Sequence, residues 1–117
     1  MSSIKPIITL YSNGNCIYYK DIDGLEYWRE FDSDSNEIYY KDRNGLEYWR
    51  EYDSNGKVIH YKDSSGYEYW LEYDSKGNEV HYRNSNGVEF WFWEGEETKD
   101  PVKILLLASK IHSKVTQ

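Results

Sequence analysis

The sequence lacks the cysteines and the long apolar runs that define several classes of protein. Cys16 is the single cysteine, so no intrachain disulfide can form, and a cytoplasmic location is the simplest interpretation. The apolar run ILLLA at 104–108 is far too short to cross a bilayer. These two absences predict a protein that is neither a disulfide scaffold nor a partner of membranes.

Basic residues are also scarce relative to acidic ones. The chain has 14 Lys and Arg against 21 Asp and Glu, which gives a formal net charge of −7 at pH 7. Direct binding of nucleic acid is not expected, because its backbone is itself anionic. This charge instead suits a basic protein surface, including that of a protein whose task is to hold nucleic acid.

Aromatic residues are abundant where aliphatic ones are few. The 117 residues include 13 Tyr and 5 Trp, and aromatics make up 18% of the chain. Aromatic rings must therefore supply much of the core, and we expect some to remain for a surface. The length suits a single domain over residues 1–117.

An internal repeat of 21 residues organises the chain. Residues 17–37 and 38–58 are identical at 14 of 21 positions, and further units follow at 59–79 and 80–100. Each unit contains two segments rich in aromatic and β-branched residues, such as IYYKD and LEYWREY, separated by turn sequences such as DRNG and DSNG. The repeat predicts an antiparallel meander of about eight strands over residues 7–94, with Ile8–Leu10 as an additional segment.

A type I turn with a glycine bulge sets the register within each unit. In the third unit it pairs Lys62 with Glu68, Tyr61 with Tyr69 and His60 with Trp70. One face of the sheet then carries Ile59, Tyr61, Tyr67, Tyr69, Leu71 and Tyr73. The opposite face carries His60, Lys62, Glu68, Trp70 and Glu72.

An odd period would swap the two faces from one unit to the next unless the linking turn restores parity. Either a four-residue loop at 53–56 or a two-residue Asn55–Gly56 turn achieves this, and the sequence leaves both open.

The segment after the repeats predicts one α-helix at about 101–114. Asp100 is a good N-cap and Pro101 suits the first helical position. We expect the helix to pack on the less charged face of the sheet; the alternative is that VKILLL forms a ninth strand. The predicted apolar face of the helix comprises Val102, Ile104, Leu105, Leu107, Ala108 and Ile111.

One helix does not cover a flat sheet of this size, since about 15 residues reach about 22 Å and eight strands span about 40 Å. Either the sheet curls around the helix, or part of the aromatic surface awaits a partner or a second copy of the chain.

Catalytic and metal-binding patterns are not apparent, so we expect neither an enzyme nor a cofactor or metal. Cys16 has no accompanying His or Asn motif of the kind that activates a nucleophile. His60 and His81 are repeat equivalents roughly 10 Å apart, too far to share a metal ion. Acidic turns such as DIDG lack the downstream bidentate Glu of a calcium loop.

The predicted row of tryptophans is the best candidate for a functional surface. Tyrosines interleave with it, and Glu30, Glu51 and Glu72 line one side with no lysine opposite. One interpretation is that the rings only stack on each other and on Lys and Arg stems to support a single-layer sheet. The other is an interaction surface. Its candidate residues are Trp28, Trp49, Trp70, Trp91, Tyr18, Tyr39, Glu30, Glu51 and Glu72.

The unit YKDxxGxEYWxEYDSxGxxI resembles the short Tyr/Trp-rich tandem repeats of small proteins from bacteriophages and bacteria. More distantly, EYDSNGKVI resembles the YD repeats of bacterial surface and toxin shells. The resemblance covers residues 11–94 and implies a β-meander, with little about activity. The aromatic hairpins of cell-wall-binding repeats are a weaker match, because their Gly-Trp opening is absent here.

The resemblance implies, by analogy only, an inhibitor of a host defence protein such as a CRISPR or restriction component. Our first hypothesis is therefore a non-enzymatic protein-binding module whose partner is a basic, nucleic-acid-handling host protein. The alternatives are a carbohydrate-binding aromatic module and a self-associating structural protein, for example a homodimer.

Overall fold

The computed structural model describes residues 7–10 and 15–115, with the side chains of residues 15–111. It confirms a mainly β architecture: an antiparallel meander of hairpins followed by one C-terminal helix. The chain divides into two compact units, residues 1–66 and 67–117. The single domain expected for residues 1–117 stays a prediction.

Unit 1 contains six antiparallel strands, each paired with its neighbour in chain order. They are β1 (Ile7–Leu10), β2 (Cys16–Lys20), β3 (Glu26–Phe31), β4 (Glu37–Asp42), β5 (Glu47–Tyr52) and β6 (Val58–Asp63). Unit 2 contains four more and the helix. They are β7 (Glu68–Tyr73), β8 (Glu79–Asn84), β9 (Glu89–Trp93), β10 (Glu96–Thr98) and α1 (Pro101–Val115).

The register predicted for the hairpins is confirmed. Tyr39, Tyr40 and Lys41 pair with Trp49, Tyr48 and Glu47, and the equivalent pairs recur between β2 and β3 and between β8 and β9. Six of the described turns begin with an Asp or Asn residue whose Oδ1 accepts two backbone N–H groups. Asp42, for example, accepts from Asn44 and Leu46 at 2.9 and 3.1 Å.

A β-bulge in each linking hairpin resolves the parity problem. The turn spans Asp53–Gly56, with the Gly56 N–H donating to the Asp53 carbonyl at 3.0 Å. The strands beyond it nevertheless have the register of the two-residue alternative, since Trp49 pairs with Lys62 and Glu51 with His60. The register then shifts between Glu51 and Tyr52, and equivalent shifts occur between Glu30 and Phe31 and between Glu72 and Tyr73. One extra residue per link keeps equivalent side chains on the same face.

Stacked tyrosines run across one face of unit 1, which we call the Tyr face; the opposite face is the Trp face. Neighbouring ring centroids along this stack are 5.0 to 6.0 Å apart. The stack comprises Tyr19, Tyr27, Tyr40, Tyr48 and Tyr61. Hydroxyls of alternate tyrosines donate to the turn aspartates two residues on, as Tyr40 does to Asp42 at 3.1 Å. The tyrosine and the aspartate of each YKD sequence therefore connect the tyrosine stack to a hairpin turn.

The helix packs on the sheet of unit 2, as predicted. The Asp100 carboxylate accepts the Val102 N–H at 2.9 Å, which confirms the N-cap. Leu107 and Val80 are 7% and 6% exposed, and both line a cleft of about 590 Å³ together with Phe92 and Ile111. Phe92 stands where two earlier units have arginine, so this position of the covered strand is apolar.

Two parts of the prediction for the apolar surfaces are wrong. Val102 and Leu105 were expected on the inner face of the helix but are 65% and 69% exposed, because the sheet meets only the side that carries Leu107. In unit 1 no described side chain is buried, and Leu25 and Leu46 on the Tyr face are 48% and 46% exposed.

Candidate functional site

The Trp face of unit 1 holds five predicted site residues from β2–β5 close together, with Glu51 at its margin. Cross-strand pairing sets Tyr18 beside Trp28 and Tyr39 beside Trp49. Their ring centroids are 5.3 and 5.7 Å apart with tilts of 36° and 47°. Trp49 is 41% exposed, whereas Trp28 is half-buried. Trp49 is therefore the accessible centre of this row.

Lysine and tyrosine side chains of the Trp face make further contacts around these aromatic pairs. The Lys41 ammonium lies 5.9 Å from the Trp28 ring centroid. The Tyr39 hydroxyl donates to Glu47 Oε2 at 2.6 Å, and Tyr18 donates to Glu26 in the same way. The sequence predicted that these glutamates pair with cross-strand lysines. The strand register is as expected, but the glutamate carboxylates accept hydrogen bonds from tyrosine hydroxyls.

Burial raises the pKa of Tyr39 to about 12, and its hydrogen bond to Glu47 and the charge of Glu30 act in the same direction. The Tyr39 phenol thus stays neutral and acts as a donor at physiological pH. Its role at the site is to hold the Glu47 carboxylate in place.

The acidic row lies beside the linking turns. Glu30 and Glu51 are exposed, and Glu30 pairs with Tyr39 across the strands. The sequence showed no lysine opposite this row, but Glu51 has a different basic partner: His60 Nδ1 lies 2.6 Å from its Oε1. With its side chain 69% exposed, Glu51 still presents a carboxylate oxygen to solvent.

The predicted site residues of unit 2 are engaged in contacts with other side chains of the same unit. The Arg83 guanidinium lies 4.2 Å from the Trp70 ring centroid. His81, only 7% exposed, stacks on Trp91 and places Nδ1 2.5 Å from Glu72. The structure therefore leaves Trp70, Trp91 and Glu72 less available to a partner than Trp49, Glu30 and Glu51.

A charged cluster on the Tyr face was missed by sequence reasoning. The Glu37 carboxylate, 11% exposed, accepts from Arg29 Nε at 2.5 Å, from Arg50 Nη1 at 3.2 Å and from the Tyr48 hydroxyl at 2.5 Å. The Tyr52 hydroxyl donates to the Glu37 carbonyl at 2.6 Å. This cluster joins three strands of unit 1 through one acidic residue.

Strict alternation along β4 places Glu37 on the Trp face, which explains why it was missed. The bulge between Glu30 and Phe31 pairs Glu37 with Phe31 and so turns it to the Tyr face. The available signal was compositional: Arg29 and Arg50 had no acidic partner on their own face.

The described residues do not assemble a metal site or a membrane span. Among them, no three His, Cys, Asp or Glu side chains are grouped so as to hold a metal ion. Among the same residues, no helix has the length and apolarity needed to cross a bilayer.

The chain matches no protein-family model, and a search of curated proteins also returns no match.

Proposed function

We propose that the chain is a non-enzymatic protein-binding module that presents the Trp face of unit 1 to a basic protein surface. The observation that carries the proposal is the exposure of Trp49, which pairs with Tyr39 next to Glu30 and precedes Glu51 by two residues in β5. It lies on a sheet in which no described side chain of unit 1 is buried. A sheet normally buries one face against another layer. An aromatic and acidic surface that its own unit leaves open is typical of a contact site.

The charge of the chain and of Glu51 favours a cationic partner, while Lys62, which pairs with Trp49 across β5 and β6, is an opposing charge at this surface. The chain carries a formal net charge of −7, and the exposed carboxylate of Glu51 is held in place by His60. Arginine side chains suit both components of this surface, because they stack on tryptophan and pair with carboxylates. Proteins that handle nucleic acid expose such arginines at their phosphate-binding sites.

The resemblance to phage repeat proteins extends the proposal to a particular class of partner. We propose that the module inhibits a host defence or other nucleic-acid-handling protein in the cytoplasm by occupying its nucleic-acid site. The acidic row would then take the place of phosphates in that site.

Carbohydrate binding has less support. Sugar-binding platforms offer flat aromatic faces, but the Tyr face stacks its rings on one another, with interplanar angles as low as 11°. Cations or an imidazole lie over Trp28, Trp70 and Trp91. The ring faces are thus largely occupied within the fold.

The test compares two variants with the same change in charge. Glu30→Lys/Glu51→Lys alters the Trp face, whereas Asp23→Lys/Asp34→Lys alters exposed turn positions whose carboxylates do not cap the turns. Glu72 is left unchanged because it bonds to His81. Each chain is immobilised and used to capture proteins from a bacterial lysate treated with nuclease.

We expect the wild type and the turn variant to capture the same basic protein and the face variant to lose it. The captured protein is then purified and titrated against each chain, with DNA or RNA added as a competitor. If the face variant still binds the captured protein, the Trp face is not the binding surface. If nucleic acid does not displace the wild-type chain, the partner does not belong to the proposed class.

A further inference from the structure

Helix α1 carries a second apolar stripe that its own unit does not cover. Val102, Leu105 and Leu106 are 65%, 69% and 47% exposed. The inner stripe, with Leu107 buried and Ile111 at the cleft, packs on the sheet. Residues three and four apart share a side of a helix, so positions 102, 105, 106 and 109 form one seam opposite Leu107 and Ile111.

Ser109 makes this seam compatible with close packing. Its hydroxyl donates to the Leu106 carbonyl at 3.0 Å, so its polar group is satisfied within the helix. Its side chain is the smallest of the seam and stands at one end, and Val102, 65% exposed, stands at the other end. The spacing of apolar residues matches that of a helix–helix contact.

We infer that the occupant of this stripe is the same stripe of a second copy, packed antiparallel. A two-fold axis between positions 105 and 106 brings Val102 of one copy onto Ser109 of the other, the smallest side chain of the seam. Such an isologous contact closes at two copies. This inference concerns a different surface from the Trp face and does not depend on the proposed partner.

Charge and dipole favour the antiparallel arrangement over the parallel one. Three exposed acidic residues, Glu96, Glu97 and Asp100, lie just before or at the start of α1 with one exposed lysine, Lys99, so this end is net acidic. The exposed Lys110 lies in the later part of the helix. Antiparallel packing sets the lysine of each copy near the acidic end of the other and opposes the helix dipoles. Lys103 turns towards its own sheet, with Nζ 5.6 Å from the Trp93 ring centroid.

The first experiment is sedimentation of the full chain over a range of concentrations. The seam is short, so we expect a reversible monomer–dimer equilibrium rather than a permanent dimer. Leu105→Ser/Leu106→Ser should weaken association at least about tenfold. The control Ile22→Ser/Leu25→Ser removes exposed apolar side chains of unit 1 (66% and 48% exposed) and should leave it unchanged. A monomer at every concentration would overturn the inference.

The second experiment reports the orientation by disulfide formation in a Cys16→Ser background. Chains with Val102→Cys and chains with Ser109→Cys are tagged differently, then oxidised separately and as a mixture. The antiparallel contact predicts cross-linking in the mixture and little in either chain alone. Cross-linking of each chain with itself would instead show parallel packing and overturn the proposed arrangement.

Discussion

His81 and Trp91 lie face to face, with ring centroids 3.7 Å apart and planes 12° from parallel. Both nitrogens of His81 also meet carboxylates: Nδ1 is 2.5 Å from Glu72 and Nε2 is 2.7 Å from Glu89. An ionised carboxylate only accepts hydrogen bonds, and a neutral imidazole has one N–H. The two bonds are therefore made together only by the protonated ring.

We expect His81→Tyr to lower the free energy of unfolding by about 1 kcal/mol, because a side chain that bonds to both Glu72 and Glu89 is lost. Tyrosine at the equivalent positions 18 and 39 bonds to the hairpin glutamate, so we expect the new tyrosine to keep the bond to Glu89 and to lose the bond to Glu72. His60→Tyr is the matched control in unit 1. Urea unfolding measures the change, and a His81→Tyr chain as stable as the wild type would contradict this role of His81.

Tyr48 should resist ionisation at high pH. Burial raises its pKa to about 12, and the hydrogen bond to Glu37 adds to the shift. Because the folded pKa is raised above the ordinary value of 10.0, its contribution to stability is fully present below pH 10 and is lost as the pH rises towards 12. Absorbance titration should show one fewer late-ionising tyrosine in Tyr48→Phe. A proton lost near pH 10 in that difference would count against the prediction.

Glu37 should contribute more to stability than its repeat equivalent Glu79. Glu37→Ala leaves Arg29, Arg50 and Tyr48 without their common acceptor, and we expect the free energy of unfolding to fall by about 1–3 kcal/mol. Burial raises the pKa of Glu79, and Leu71 and Phe92 stand at the positions of the two arginines. Glu79→Ala should therefore change stability by no more than about 0.5 kcal/mol. Denaturant unfolding of both variants measures the difference, and equal losses would show that the cluster contributes little.

Ser35 occupies a backbone conformation that suits glycine. Its φ is 69°, and the same position of the next linking turn holds Gly56 at φ 80°. We expect Ser35→Gly to raise the free energy of unfolding by about 0.5 kcal/mol and Gly56→Ser to lower it by about 1 kcal/mol. A Cβ at Gly56 meets nothing closer than the Asn36 Oδ1 at 4.0 Å, so that loss would be conformational. Thermal and urea unfolding test the pair, and the prediction fails if Ser35→Gly is the less stable.

Much of the fold was predictable because local and long-range signals agree in every repeat. The Asp-x-x-Gly turns determine the hairpin register, and Asp100–Pro101 determines the start of α1. Strand β10 was missed because its two-residue turn is Glu94–Gly95, with both φ values positive at 53° and 85°. Such turns are usually signalled by Asn or Asp before the glycine, and Glu94 gives no such signal.

The candidate site was less predictable from the sequence. It depends on which neighbours each side chain contacts, and not only on the face of the sheet from which the side chain projects. Alternation alone identifies the faces of Trp28 and Trp49, but not that Lys41 lies near one ring while the other is exposed. Alternation also assigns Glu37 to the Trp face, whereas the bulge between Glu30 and Phe31 places it on the Tyr face. Glu51 and Glu72 pair with His60 and His81, which replace tyrosine in only two units. A consensus of the repeat does not show this difference between units.

The bulge in each link has a consequence for how such a chain can change in length. Because each of the first three 21-residue units carries its own bulge, such a unit can be deleted or duplicated without exchanging the Tyr face and the Trp face of its neighbours. Tandem DNA repeats gain and lose copies readily. A gene of this kind can therefore lengthen or shorten the surface it encodes in fixed steps of one hairpin while the remaining turns, stacks and caps keep their positions.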